Sequence, residues 1–339
     1  LVESLAAICG GVGTTAAGLQ RTTAEQTQVW NDCLASRVGL SDLYDRLARA
    51  GGDTRRLWAQ ERLYVTAQAR EATTTDSYAL HFERELRPVV SYFTVADAAG
   101  RPELHLVFAV PADRLHPVPQ EGGGALYALA LRLLVMDTAR AVLATLDTVR
   151  VFRSAQPLGA GSYLAEQLQL RVPAGSHRYT LVVQEPHATT GTAAGGQALE
   201  VPAVTGAFAA SDVVLGREGS GLVWRRAEGD VALNPLMRYP REGTATLYYE
   251  LYGLPQGAPV GTRVRVLSQG RSVLRRLLGG GGGADLAYTT VTDAPGRMRV
   301  RQALALRGLA PGRYVLELEL SDPVSGRRVV RRAPFEIEG

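Results

Sequence analysis

Apolar positions recur along this chain with two periods. Over roughly the first seventy residues the spacing is three and four: in "TTAEQTQVWNDCLASRVG" Val29, Trp30, Cys33 and Leu34 share one face, and "LSDLYDRLARAGG" opens on a Ser41 cap and closes on Gly51. A third helix is predicted from near Thr54 to Arg70. From about Thr73 the period falls to two and stays there. "ELHLVFAVP" alternates Leu104, Leu106 and Phe108; "ALYALALRLLVMD" alternates Tyr127, Leu129, Leu131, Leu133 and Val135; "RYTLVVQEP" alternates Tyr179, Leu181 and Val183. Gly and Pro separate these runs and no helical pattern interrupts them, which predicts antiparallel all-β structure.

The stretches "LQLRVPAGSHRYTLVVQEPHATTG" from near Leu168 and "LALRGLAPGRYVLELELSDPVSG" from near Leu304 share one order: leucine strand, Pro and Gly turn, tyrosine-led strand, further turn. Two copies of one sandwich account for this repeat. The expected fold is therefore mainly β: a small helical head at 1–71, then two tandem antiparallel immunoglobulin/fibronectin-like β-sandwiches at 72–204 and 205–339. Within the second, "GTATLYYELYGLPQG" reads as a half-buried strand. Leu247, Tyr249 and Leu251 point one way, and Thr246, Tyr248, Glu250 and Tyr252 point the other. The outward Tyr248, Glu250 and Tyr252 are candidates for a partner surface.

Composition narrows the classes. Of 339 residues 46% are hydrophobic and 21% charged, too apolar for disorder, yet no run of about eighteen apolar residues is long enough to span a membrane. Leu1 in place of a methionine fits a removed leader or a trimmed chain. All 37 basic residues are Arg, which excludes a Schiff-base lysine, a phosphate-loop lysine and a lysine base. From Ala203 onward the net charge is +6, against −2 before it. The basic excess sits largely in the pairs Arg225–Arg226, Arg275–Arg276, Arg327–Arg328 and Arg331–Arg332, which face either water along a strand or acidic lipid headgroups or an acidic partner. With Trp224, all but the last pair join the candidate surface. No aromatic platform is interleaved with the arginines, so nucleic acid is not an expected partner.

Candidate chemistry is sparse. Cys9 and Cys33 are the only cysteines; a disulfide between them, contributing on the order of 3 kcal/mol in an oxidising compartment, competes with two buried thiols. His81, His105, His116, His177 and His187 lack metal-ligand spacing, and Ser162 lacks the second glycine of a nucleophile elbow, so no metal, cofactor or catalytic residue is expected. Asp212 and Asp322 read as turn residues bonding nearby amides. Glu250 is the one acid of interest, set against the plainer reading of a solvated strand residue paired to an arginine.

"FAASDVVLG", "ALNPLMRYP", "TATLYYELYGLPQG" and "LAPGRYVLELELSDPVSGRRVVRRAPFEI", in that order over residues 208–338, resemble the C-terminal β region of the GWxTD-domain proteins, a group of extracytoplasmic bacterial proteins. A weaker similarity reaches back to about Ala72. The Gly-Trp-x-Thr-Asp signature itself is missing, since Trp30, Trp58 and Trp224 all lie in other contexts. The resemblance implies a periplasmic protein, peripheral to the membrane. The function expected is a non-catalytic structural subunit, not an enzyme, that bridges other protein subunits of a membrane-bound complex. A photosynthetic reaction-centre and antenna assembly is one instance, which no residue selects. The alternative is a carbohydrate- or small-ligand-binding β-sandwich, with Trp224 as its platform.

Overall fold

The structure, a computed structural model, describes residues 82–120, 122–186, 189–206, 208–226, 229–269, 285–293 and 295–339. The chain divides between Ala79 and Leu80, and everything described belongs to the second unit, Leu80–Gly339. The expected helical head, its Cys9–Cys33 disulfide, the Arg275–Arg276 pair and the glycine run 279–283 lie outside the described residues.

The described residues are mainly β. Nine strands form a first half: β1 (Arg84–Glu85), β2 (Val89–Ala96), β3 (Pro102–Pro111), β4 (Val118–Pro119), β5 (Ala125–Met136), β6 (Val142–Ser154), β7 (Tyr163–Arg171), β8 (Gly175–Gln184) and β9 (Thr190–Val201). A second half follows: β10 (Ala209–Ala210), β11 (Val214–Gly216), β12 (Leu222–Trp224), β13 (Val231–Leu233), β14 (Arg238–Tyr239), β15 (Thr244–Tyr252), β16 (Pro259–Ser268), β17 (Asp285–Val291), β18 (Arg297–Ala305), β19 (Gly312–Ser321) and β20 (Arg328–Ile337).

Each half contains two sheets. The first has β1-β9-β8-β5-β4, with β6 on β5, and β2-β3-β7; the second has β10-β15-β11-β13-β12, with β18 on β15, and β14-β20-β19-β16-β17. The pairings recur. β8 lies between β5 and β9 as β19 lies between β16 and β20. β6 borders β5 as β17 borders β16, and β7 borders β3 as β18 borders β15. Even the rare parallel pair recurs, β1 with β9 and β14 with β20. The sequence repeat falls on β7–β8 and on β18–β19, where the chain leaves one sheet for the other.

The two-residue period decides where side chains go. Leu104, Leu106 and Phe108 of β3 meet Tyr127, Leu129 and Leu133 of β5 and Leu181 and Val183 of β8 in one core. Leu247, Tyr249 and Leu251 of β15 meet Val264 of β16 and Leu316, Leu318 and Leu320 of β19 in another. A third apolar cluster joins the halves: Phe93, Val95 and Val107, from the far faces of β2 and β3, pack on Val214, Trp224, Val231, Leu233 and Tyr248. At about 1.5–3 kcal/mol per large apolar side chain removed from water, this contact holds the halves as firmly as a small core would. It also corrects one expectation. β15 is not half buried: Tyr248, Glu250 and Tyr252 are as sealed as Tyr249, because the first half covers their face.

Candidate functional site

The most concentrated polar chemistry among the described residues lies in that junction. β15 runs beside β18 in a register that sets Arg301 across from Tyr248, Arg299 from Glu250 and Arg297 from Tyr252. Antiparallel partners share a face, so Tyr-Glu-Tyr lies against three arginines. Gly253, at φ 77°, stops the strand in a conformation that favours glycine, and its N–H bonds the Gly296 carbonyl just before β18 at 2.9 Å.

Glu250 is 0% exposed, and both its oxygens are engaged. Oε1 accepts from the Tyr248 hydroxyl at 2.5 Å and from Arg226 Nη2 at 2.5 Å. Oε2 accepts from the Tyr252 hydroxyl at 2.7 Å and from Arg297 Nε at 2.8 Å, with Arg297 Nη2 at 2.6 Å. Arg299 Nε stands 3.8 Å from Oε1. Burial pushes the Glu250 carboxyl up, but the two tyrosine hydroxyls and the Arg297 and Arg226 charges outweigh it and hold it below the usual range. Burial, with the Glu250 charge, raises Tyr248 and Tyr252, so both remain donors.

The network spans the halves. The Ala96 amide of β2 donates to the Tyr252 hydroxyl at 2.8 Å, and Arg297 donates to the carbonyls of Ala96 at 2.7 Å and Asp97 at 3.2 Å. Beside it, the Thr94 amide donates to Asp212 Oδ2 at 2.9 Å while the Asp212 amide donates to the Thr94 carbonyl at 3.0 Å. Asp212 is thus no local turn residue, as expected from sequence, but a bracket between halves. Burial pushes its carboxyl up to about 6 against the pull of Arg331 and the Thr94 amide. Asp322 does cap its own turn, accepting from the Val324 amide at 2.9 Å and the Ser325 hydroxyl at 2.5 Å.

An aromatic stack completes the junction. His105 lies flat on Phe93 at 4.7 Å; Trp224 meets both rings, at 4.9 Å from Phe93 and 5.2 Å from His105, and presents its other side to Tyr248 at 5.2 Å. Arg226 caps Trp224 at 4.7 Å. Burial, seconded by the Arg226 charge, lowers His105 to about 3, so it is neutral at ordinary pH. Its Nδ1 bonds Gln167 Nε2 at 2.5 Å and its Nε2 has no hydrogen-bond partner among the described residues, the nearest carboxylate being Glu103 at 3.7 Å.

The expected partner surface is therefore corrected. Tyr248, Glu250, Tyr252 and Trp224, the last 4% exposed, are buried, and Arg226 is drawn in with them. The carboxylate between tyrosines needs a donor for every lone pair, and Tyr248, Tyr252, Arg226 and Arg297 supply them while the first half covers the face. Arg225, Arg327 and Arg328 remain exposed. Arg328 lies 3.5 Å from Glu319, Arg332 pairs with Glu317 at 2.8 Å, and Arg331 turns inward to the carbonyls of Ser211 and Ala210. Sequence reasoning named His105, Asp212 and Arg331 without placing them here, and it did not single out Arg297. The signal for Arg297 was present: "RMRVR" places arginines at alternate positions, which suits a strand facing an acid.

A Glu250 so saturated has its lone pairs taken up by donors, and its chemistry in this structure is cohesion. No three His, Cys, Asp or Glu side chains converge as a metal site among the described residues. A shallow cleft of about 320 Å³ opens at one end of the junction, lined by Ala98, Gly100, Gly206, Gly253 and Arg297. None of the described helical segments is long and apolar enough to cross a membrane.

No protein-family model matches the chain, and no curated protein matches it. A solved structure of red sea bream transglutaminase matches 75% of this chain at 12% identity, with a TM-score of 0.22; the chain spans 31% of that structure's length. That protein is an enzyme, and the expectation that this chain is not an enzyme is withdrawn on that finding. At such a TM-score the likeness carries no argument for an activity either.

Proposed function

We propose that residues 82–339 act as a rigid extracytoplasmic spacer, two tandem immunoglobulin-like sandwiches locked end to end, which holds other protein subunits of a membrane-bound assembly at a fixed separation. The observation that carries this reading is the Glu250 network, which ties Ala96 and Asp97 of one half to Tyr252 and Arg297 of the other. Modules that only need tethering are joined by polar, hydrated contacts, whereas a junction with a sealed carboxylate and a stacked aromatic core resists bending. The recurrent strand pairing supports two copies of one module. The similarity of residues 208–338 to the β region of the GWxTD-domain proteins supports a location outside the cytoplasm.

The alternative, a carbohydrate- or small-ligand-binding sandwich, loses its platform, because Trp224, Tyr248 and Tyr252 are enclosed. The test is mild detergent extraction of the source membranes, gradient sedimentation, and mass spectrometry of each fraction. The spacer reading expects the chain among the subunits of a large particle at low salt. A chain found free at the top of the gradient under the gentlest extraction refutes it.

A further inference from the structure

Among the described residues β6 is the longest strand, with 13 residues, and it pairs along one side only, with β5. Proteins protect such edges with proline, bulges, short length or charged side chains, which block a partner unless its charges are complementary. β6 contains neither proline nor glycine. Val149 and Val151 stand 48% and 59% exposed on its outer face, flanked by the exposed Asp147 and Arg153. Its counterpart β17 has seven residues, and its single charge, Asp285, is already held by Arg263 at 2.5 Å.

We propose that two copies of this chain pair edge to edge along β6, antiparallel about a two-fold axis through Arg150. The argument is one of register. A two-fold normal to the sheet keeps the outer face of both copies on the same side, so odd positions must meet odd positions. Centred on Arg150, Asp147 faces Arg153 of the partner subunit and Val149 faces Val151 of the partner subunit, and each pair occurs twice. Centred on Val149 instead, Asp147 would face a valine; centred on Val151, Val149 would face an arginine. Only the Arg150 register matches charge with charge and valine with valine. Asp147 already accepts from Arg132 Nε at 2.7 Å, so in the dimer each carboxylate lies between two guanidiniums. The two Arg150 side chains meet on the opposite face, each with Glu166 at 3.5 Å to offset the like charge. A two-strand contact is small beside the roughly 1,600 Å² of a standard interface, so the association is weak and concentration-dependent. This inference does not rest on the spacer reading.

Sedimentation velocity of the full chain over a wide concentration range tests it. The wild type is expected to dimerise reversibly. Asp147→Arg and Arg153→Asp each set like charges opposite one another, and each is expected to weaken self-association at least about ten-fold. An equimolar mixture of the two variants restores both ion pairs in a heterodimer and is expected to regain wild-type association, which also shows that neither variant is misfolded. A wild type monomeric throughout, a dimer indifferent to both substitutions, or a mixture no tighter than its components would overturn the proposal.

Discussion

Glu250 gathers two tyrosine hydroxyls and two guanidiniums at one buried carboxylate. Replacing it by Ala leaves Arg226 and Arg297 facing each other without a counter-charge and two tyrosine hydroxyls without an acceptor. Breaking a buried pair in this way costs about 3–5 kcal/mol, so Glu250→Ala is expected to lower the urea midpoint by that equivalent, with Glu250→Gln falling between. Three groups here give stability a pH dependence. Glu250 lies below its ordinary 4.5, so its contribution is complete above that value and is lost as pH falls through the folded-state value. His105, held at about 3 against 6.5, works in the same direction: from pH 6.5 down to 3 the unfolded chain takes a proton that the folded chain refuses. Asp212, raised from 3.8 to about 6, opposes them, its contribution being present below 3.8 and lost as pH rises through 6. His105→Gln is therefore expected to remove a slope of up to ~1.4 kcal/mol per pH unit between pH 6 and 4. Urea titrations at several pH values would show that slope unchanged if His105 were already charged when folded. Of this chemistry the sequence displayed Tyr-Glu-Tyr on one face, and from that alone an outward surface was inferred. What it withheld was the second layer, because the partners Ala96, Asp97 and Trp224 lie far away along the chain.

At the scale of elements, the strands were legible and their neighbours were not. Period two marked β3, β5, β8, β15 and β19 directly, because a strand against one core alternates whatever it pairs with. Pairing order leaves no such trace, and neither does burial of a second face. The hint lay in composition: β3 carries Val107 and Ala109 between Leu106, Phe108 and Val110, and β15 carries aromatics on both faces, where a solvated face would be charged. The arginine pairs likewise showed nothing of their neighbours. β20 presents Arg328 and Arg332 to Glu319 and Glu317 of β19, and Glu317 is shared with Arg265 of β16, so a basic run in sequence becomes a ladder of alternating charge across the sheet. Close approach can be tested at Gly216 of β11, between β13 and β15. A Cβ there would lie 2.7 Å from the Ala232 carbonyl oxygen, which the ladder holds in place. Gly216→Ala is expected to cost about 1–3 kcal/mol and to raise amide exchange in β12 and β13 before the rest of the sheet. Exchange unchanged in those strands would mean that the ladder shifts freely.

For Leu80–Gly339 as a whole, the question is whether the two halves are one thermodynamic body. Each half has a core of its own, and modules of that kind usually unfold independently when only a linker joins them. Here the linker is not the main connection. The cluster of Phe93, Val95, Val107, Trp224 and Tyr248 is apolar on both sides, and the hydrogen bonds beside it, from Ala96 to Tyr252 and from Arg297 to Ala96, are lost if the halves part. Opening the junction alone would therefore expose an apolar face on each half and break the hydrogen bonds of Tyr252 and Arg297 to Ala96 and Asp97, without the chain entropy that full unfolding releases. Partial opening is the unfavourable course, so calorimetry of the described region is expected to give a single transition, with van't Hoff and calorimetric enthalpies in agreement. Glu250→Ala weakens that coupling while sparing both cores, because it frees Tyr252 and Arg297, the two side chains that reach across to Ala96. It is expected to split the transition in two, the halves melting separately. Two transitions already in the wild type would mean that the junction is a contact without coupling, and a rigid spacer would then have to derive its stiffness from something other than Glu250.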